Sequence, residues 1–134
     1  MLRLRGACYA EMVGLALDGL PEEVCGLLVG DPGRAVVEAF HPCRNVAASS
    51  RVYSLDPLEH LRIERAAEEQ GLEVIGVMHS HTHTDAYPSP ADVAQAPDPS
   101  WHYVIVSLRD DAPVLRSYRI VDEAIREEPV TVLR

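Results

Sequence analysis

A chain of 134 residues suffices for one domain with its own core, and a mix of 47% hydrophobic, 25% charged and 5% aromatic residues excludes a disordered or low-complexity protein. The formal net charge is −9 and the twelve basic residues are scattered, so the basic footprint that phosphate backbones require is missing and no nucleic-acid partner is expected. No run approaches the roughly 18 to 20 apolar residues of a membrane span; Glu11 and Asp18 interrupt any apolar leader after Arg3 and Arg5, so the sequence predicts a cytoplasmic protein without membrane contact.

Residues 7–20 carry Met12, Leu15, Ala16 and Leu17 with few breakers, which predicts an amphipathic helix ending before Pro21. Gly26–Gly30 reads as a short buried strand, 31–33 as a turn, and Ala35–Phe40 as its hairpin partner. Residues 45–50 are small and polar, hence a loop. Asp56-Pro57-Leu58-Glu59 places an N-cap, a proline and an acid where a helix start needs them, and Gly71 supplies the stop. Val74–Met78 predicts a fully buried strand running into a histidine cluster. Beyond it come a short helix at 89–94 and strands at Trp101–Leu108, Val114–Ile120 and Val130–Leu133. Strands and helices are thus mixed, with antiparallel hairpins on both sides of a central strand, in a single domain over 1–134. Cys8, Cys25 and Cys43 are widely spaced without a CxxC, which predicts free thiols and neither disulfides nor a thiolate zinc cage.

The chemistry concentrates at Met78-His79-Ser80-His81-Thr82-His83-Thr84-Asp85. Side chains alternate along a strand, so His79 and His81 share a face and can reach one ion, while Ser80 faces away. Two imidazoles and a carboxylate suit zinc. By itself a His-x-His pair is equally a polar strand end facing water. Seven residues after His81 stands Ser89, and three further Asp92, in a Ser-Pro-Ala-Asp run that is also a helix-capping signature.

This spacing resembles the JAMM motif of the MPN-domain metalloproteases, His-x-His, seven residues, Ser, two residues, Asp, and all four positions match. The upstream glutamate of that family is matched by Glu23 in Glu23-Val24-Cys25-Gly26. The resemblance implies an α/β fold of the MPN type, a mixed sheet flanked by helices and related to the cytidine-deaminase architecture. It also implies one zinc ion (Zn2+) on His79, His81 and Asp92, with Glu23 as general base and Ser89 as donor to the oxyanion. Such enzymes cleave peptide or isopeptide bonds after the C-terminal glycines of ubiquitin-like proteins.

Ala86-Tyr87-Pro88-Ser89, the WHYVIVSL segment and Arg116–Asp122 are similar to compact bacterial members that release cysteine from a ubiquitin-like sulfur-carrier protein, which makes such a carrier, or its C-terminal adduct, the expected partner. A deubiquitinase-like isopeptidase and a metal-free scaffold module are the alternatives; scaffold relatives lose the ligands that this chain keeps. A zinc deaminase is excluded, because Pro42-Cys43-Arg44-Asn45 lacks the second cysteine of Pro-Cys-x-x-Cys. His41, His60 and His102 are isolated and read as structural, and His83 as solvated.

Overall fold

The computed structural model describes residues 1–96 and 98–134. In chain order it contains β1 (Leu2–Arg5), α1 (Gly6–Gly19), β2 (Cys25–Asp31), β3 (Val36–Cys43), α2 (Pro57–Glu69), β4 (Glu73–His81), α3 (Pro90–Ala94), β5 (His102–Ser107), β6 (Val114–Val121), β7 (Ala124–Glu128) and β8 (Val130–Leu133). The strands form one sheet in the order β7-β6-β5-β4-β2-β3-β1-β8. The pair β4–β5 is parallel, as are β1–β3 and β1–β8, and the remaining pairs are antiparallel. This is the mixed sheet with flanking helices expected from the sequence.

Two apolar layers hold the helices to the sheet. On one face Cys8, Met12 and Ala16, four residues apart along α1, pack with Leu28, Phe40, Met78 and Val104. On the other, Ile63 and Ala67 of α2 pack with Leu27, Val77, Tyr103 and Ile105. The start of α2 follows the expected chemistry, since the Asp56 carboxylate accepts from the Leu58 N–H at 3.0 Å and Pro57 opens the first turn. Its end is a Schellman closure: Gly71 takes φ 72° and the Leu72 and Gly71 amides donate to Ala67 and Glu68.

Strand β4 lies between β2 and β5 and has no exposed residue beyond Glu73. Gly76 permits this, because a Cβ there would stand 2.2 Å from the His102 carbonyl oxygen. The strand is longer than the sequence suggested. His79 and His81 lie within it, fixed by pairing to β2 on one side and β5 on the other.

Two short strands, β1 and β7, were not anticipated. At the β7 side His102 meets Glu128 at 2.7 Å, and the Ser117 hydroxyl donates to the same carboxylate at 2.8 Å. Burial opposes ionisation of Glu128, but these bonds outweigh it and hold the carboxyl below its ordinary range. His102 is therefore structural, as its isolation implied. Cys8, Cys25 and Cys43 are free thiols, the first two buried and the third half-buried. No helix among the described residues is long and apolar enough to cross a membrane.

A candidate metal centre and active site

His79 and His81, two residues apart on β4, turn to the α2 side of the sheet together with Val77. Asp92 reaches the same point from α3, whose first turn is closed by a capping box: the Ser89 hydroxyl accepts from the Asp92 N–H at 3.1 Å and the Asp92 carboxylate accepts from the Ser89 N–H at 2.8 Å. The same Oδ2 lies 3.1 Å from His79 Nε2 and 2.8 Å from His81 Nε2, and the two imidazole nitrogens are 3.2 Å apart. All three residues are buried, with at most 6% of their surface exposed.

These three atoms outline a triangle close to the one a tetrahedral ion needs, since ligands about 2.0 to 2.1 Å from such an ion stand about 3.4 Å from each other. The donor set of two imidazoles and a carboxylate suits a divalent transition metal. Burial pushes the His79 imidazole below its ordinary pKa, toward the neutral form that ligates. Burial acts on His81 in the same direction, but the Asp92 carboxylate and the Asp85 carbonyl outweigh it and raise the His81 pKa. Burial opposes ionisation of Asp92 too; the hydrogen bonds from both histidines override it and keep the carboxyl ionised far below its usual range. His81 Nδ1 donates to the Asp85 carbonyl at 2.7 Å, which fixes the ring with Nε2 toward Asp92. The His79 ring is instead set by stacking on Tyr53, with centroids 4.4 Å apart and planes at 19°.

Glu23 enters from the segment between α1 and β2. Cys25 is the register partner of His79, and Val24 exchanges two hydrogen bonds with Ser80, its amide donating to the Ser80 hydroxyl at 2.9 Å and its carbonyl accepting from the Ser80 amide at 3.0 Å. Continued by one residue, that register sets Glu23 beside His81. Asn45 secures the backbone from below, donating to the carbonyls of Glu23 and Val52 while accepting from the Ala47 and Ser54 amides. The Glu23 carboxyl is 4% exposed, and its Oε1 is buried with no hydrogen-bond partner among the described residues. Burial pushes its pKa up to about 7; the charge of His81 lowers it and that of Asp92 raises it, both as lesser effects. The site therefore joins three side chains that could hold a metal ion to a buried carboxyl whose pKa lies near neutrality.

A family profile described as prokaryotic homologs of the JAB domain matches residues 6–121, a span that includes all five of these positions. The chain belongs to this family. A relative, the CysO-cysteine peptidase of Mycobacterium tuberculosis, is 43% identical over 134 residues, covering 99% of this chain and 92% of the relative. Among solved structures, protein DSY2949 from Desulfitobacterium hafniense superposes with a TM-score of 0.91 at 34% identity, over 99% of this chain and 93% of that one. AF2198, a JAB1/MPN domain protein from Archaeoglobus fulgidus, superposes at 0.65 with 20% identity over the whole of both chains, a likeness of fold alone. The MPN architecture expected from the motif is the one this JAB-domain chain adopts.

Sequence reasoning placed His79, His81, Ser89, Asp92 and Glu23 in one site, and the structure brings them together. It passed over Tyr53 and Asn45, which lie in the 44–55 connection with no spacing to mark them. His83 is exposed, as expected, and lines an open groove with His81, Thr84, Tyr87, Ser89 and Arg109.

Proposed function

We propose that this JAB-domain chain acts, as one domain over residues 1–134, as a zinc peptidase that frees cysteine from the C-terminus of a ubiquitin-like sulfur-carrier protein. The observation that carries the reading is the pairing of the His79–His81–Asp92 triangle with the buried, unpartnered carboxyl of Glu23. The likeness to the CysO-cysteine peptidase over nearly all of both chains supports the choice of substrate.

Zinc, when held by His79, His81 and Asp92, supplies the Lewis acidity that polarises a carbonyl and brings the pKa of a water to about 7. Glu23 takes a proton from the attacking water and passes it to the leaving amine, a task suited to a carboxyl whose pKa lies near 7. The Ser89 hydroxyl uses an acceptor lone pair for the Asp92 amide, so its own O–H remains free to donate to the oxyanion. Capping and catalysis thus use different parts of one hydroxyl. The carrier's extended tail lies along the groove beside His81 and Ser89.

The test is zinc analysis of the wild type, His79→Ala and Asp92→Ala, joined to an assay of cysteine release from a carrier ending in Gly-Gly-Cys. One zinc per chain with release in the wild type, and loss of both in the variants, is expected. No zinc uptake under replete conditions would leave a scaffold as the better account. Activity only on another ubiquitin-like fusion would move the substrate and keep the chemistry.

A further inference from the structure

The groove beside His81 contains one cation of the Lys/Arg type, Arg109. Its position is set by the site itself. Ser107 is the register partner of His81, the Leu108 amide donates to the His81 carbonyl at 3.0 Å, and the Arg109 amide donates to the Ser107 hydroxyl at 3.3 Å. That hydroxyl in turn donates to the Thr84 carbonyl at 2.6 Å. The guanidinium is half-exposed, and one of its N–H groups, on Nη1, donates to the Asp85 carboxylate. Asp110 is 4.0 Å from Nε, beyond hydrogen-bond length. Most of the five N–H donors of this fork therefore remain open to the groove, while Asp85 holds the fork in place.

Asp85 joins Arg109 to the metal-ligand triangle, since its carbonyl accepts from His81 while its carboxylate accepts from Arg109. The guanidinium and the His81 ring thus both bond to Asp85 and line the same groove. A leaving amino acid brings a carboxylate of its own to that groove. Its α-carboxylate lies one residue, at most about 3.6 Å of chain, beyond the scissile carbonyl, and a charge-assisted bond adds about 2.8 Å. On the other flank the pocket lined by Tyr53, Leu55, Val77 and Trp101 is largely apolar and has no Lys or Arg. With a net charge of −9 the surface offers an incoming carboxylate few alternatives.

We propose that Arg109 binds the free α-carboxylate of the residue being released, and so favours a C-terminal amino acid over an isopeptide-linked lysine as the leaving group. This rests on the peptidase reading above and names the chemistry its leaving group must carry. A lysine side-chain amine in an isopeptide presents no carboxylate at that distance, so the fork gives it nothing.

The experiment compares two carrier-tail peptides ending in Gly-Gly-Cys, one with a free C-terminal carboxylate and one with a carboxamide, on the zinc-loaded protein. Wild type should favour the acid about 10- to 100-fold in kcat/KM, the range of a hydrogen-bonded charge pair. Arg109→Gln should lose this preference, through KM on the acid. Equal wild-type rates on acid and amide, or a uniform loss on both in Arg109→Gln, would overturn the proposal.

Binding gives a readout without turnover. Calorimetry on the zinc-loaded Glu23→Gln form, with Gly-Gly-Ser tails to keep thiol off the metal, should show tighter binding of the acid that disappears when Arg109→Gln is added. If wild type cleaves neither peptide but this preference stands, the hydrolysis reading fails and the carboxylate site survives. Equal binding of acid and amide removes the site.

Discussion

Glu23 occupies an environment that disfavours its own charge. Its pKa rises from 4.5 to about 7, chiefly through burial. In the metal-free chain the unfolded state therefore ionises first as pH rises, and stability falls between about 4.5 and 7 and stays lowered above. Glu23→Gln should be at least as stable as wild type at pH 4 and more stable at pH 8, by an amount on the order of 3 kcal/mol, while hydrolysis drops about 10²- to 10⁴-fold. Urea titrations of both metal-free proteins at the two pH values check this; equal midpoints at pH 8 would show that the carboxyl carries no such strain. Ser89 makes a different prediction, because its hydroxyl serves the helix and the site at once. Ser89→Ala should cost about 1 kcal/mol from the lost cap and about 10²- to 10³-fold in kcat with KM little changed, read from a denaturation curve and a kinetic profile of the same preparation.

Among the elements, β4 is the one on which the site depends, and Ser80 shows how. Its side chain points away from the His79 and His81 side of the strand and joins β4 to the backbone of Val24. Ser80→Ala should leave zinc stoichiometry intact but lower kcat, because the ligands stay on β4 while Glu23 loses its splint; zinc content and kcat measured on one sample distinguish this from general unfolding. The elements also show what the sequence could tell. Helix α2 was legible at both ends, because Asp56, Pro57 and Gly71 each act within one turn of the backbone. Strand β7 was not, for its hairpin with β6 turns at Asp122 and Glu123 with φ of 51° and 67°, a conformation that Asn-Gly would have announced and Glu123 conceals. Glu123→Gly should relieve this and stabilise the protein by about 1 kcal/mol in thermal or urea unfolding. Strand β1 has only four residues, and its alternation, Leu2 and Leu4 inward, Arg3 and Arg5 outward, is too short to outweigh the chance pattern of a loop.

For the molecule as a whole, the site is a joint between sheet and α3, and what fills it bears on stability. A zinc concentration one hundredfold above Kd should add about 2.7 kcal/mol to unfolding, a chelator should remove it, and His79→Ala should melt at the same temperature with or without chelator. The site was more legible than the fold around it, because a His-x-His on one strand face and an acid three residues past a capping serine are local patterns. Which loops would close over them is decided by long-range contacts such as Tyr53 on His79 and Asn45 under Glu23, and these leave no periodicity in the chain.

The far edge of the sheet has a kinetic consequence. Strand β1 is inserted between β3 and β8, so residues 2–5 pair with residues 130–133. Strands β2, β4 and β5, with every group of the proposed metal triangle, come instead from the contiguous stretch 25–107. Closing the β1–β8 ladder brings together segments separated by nearly the full chain, and loop-closure entropy delays such pairings. The site's framework should therefore assemble early, with docking of that edge as the slow event of refolding.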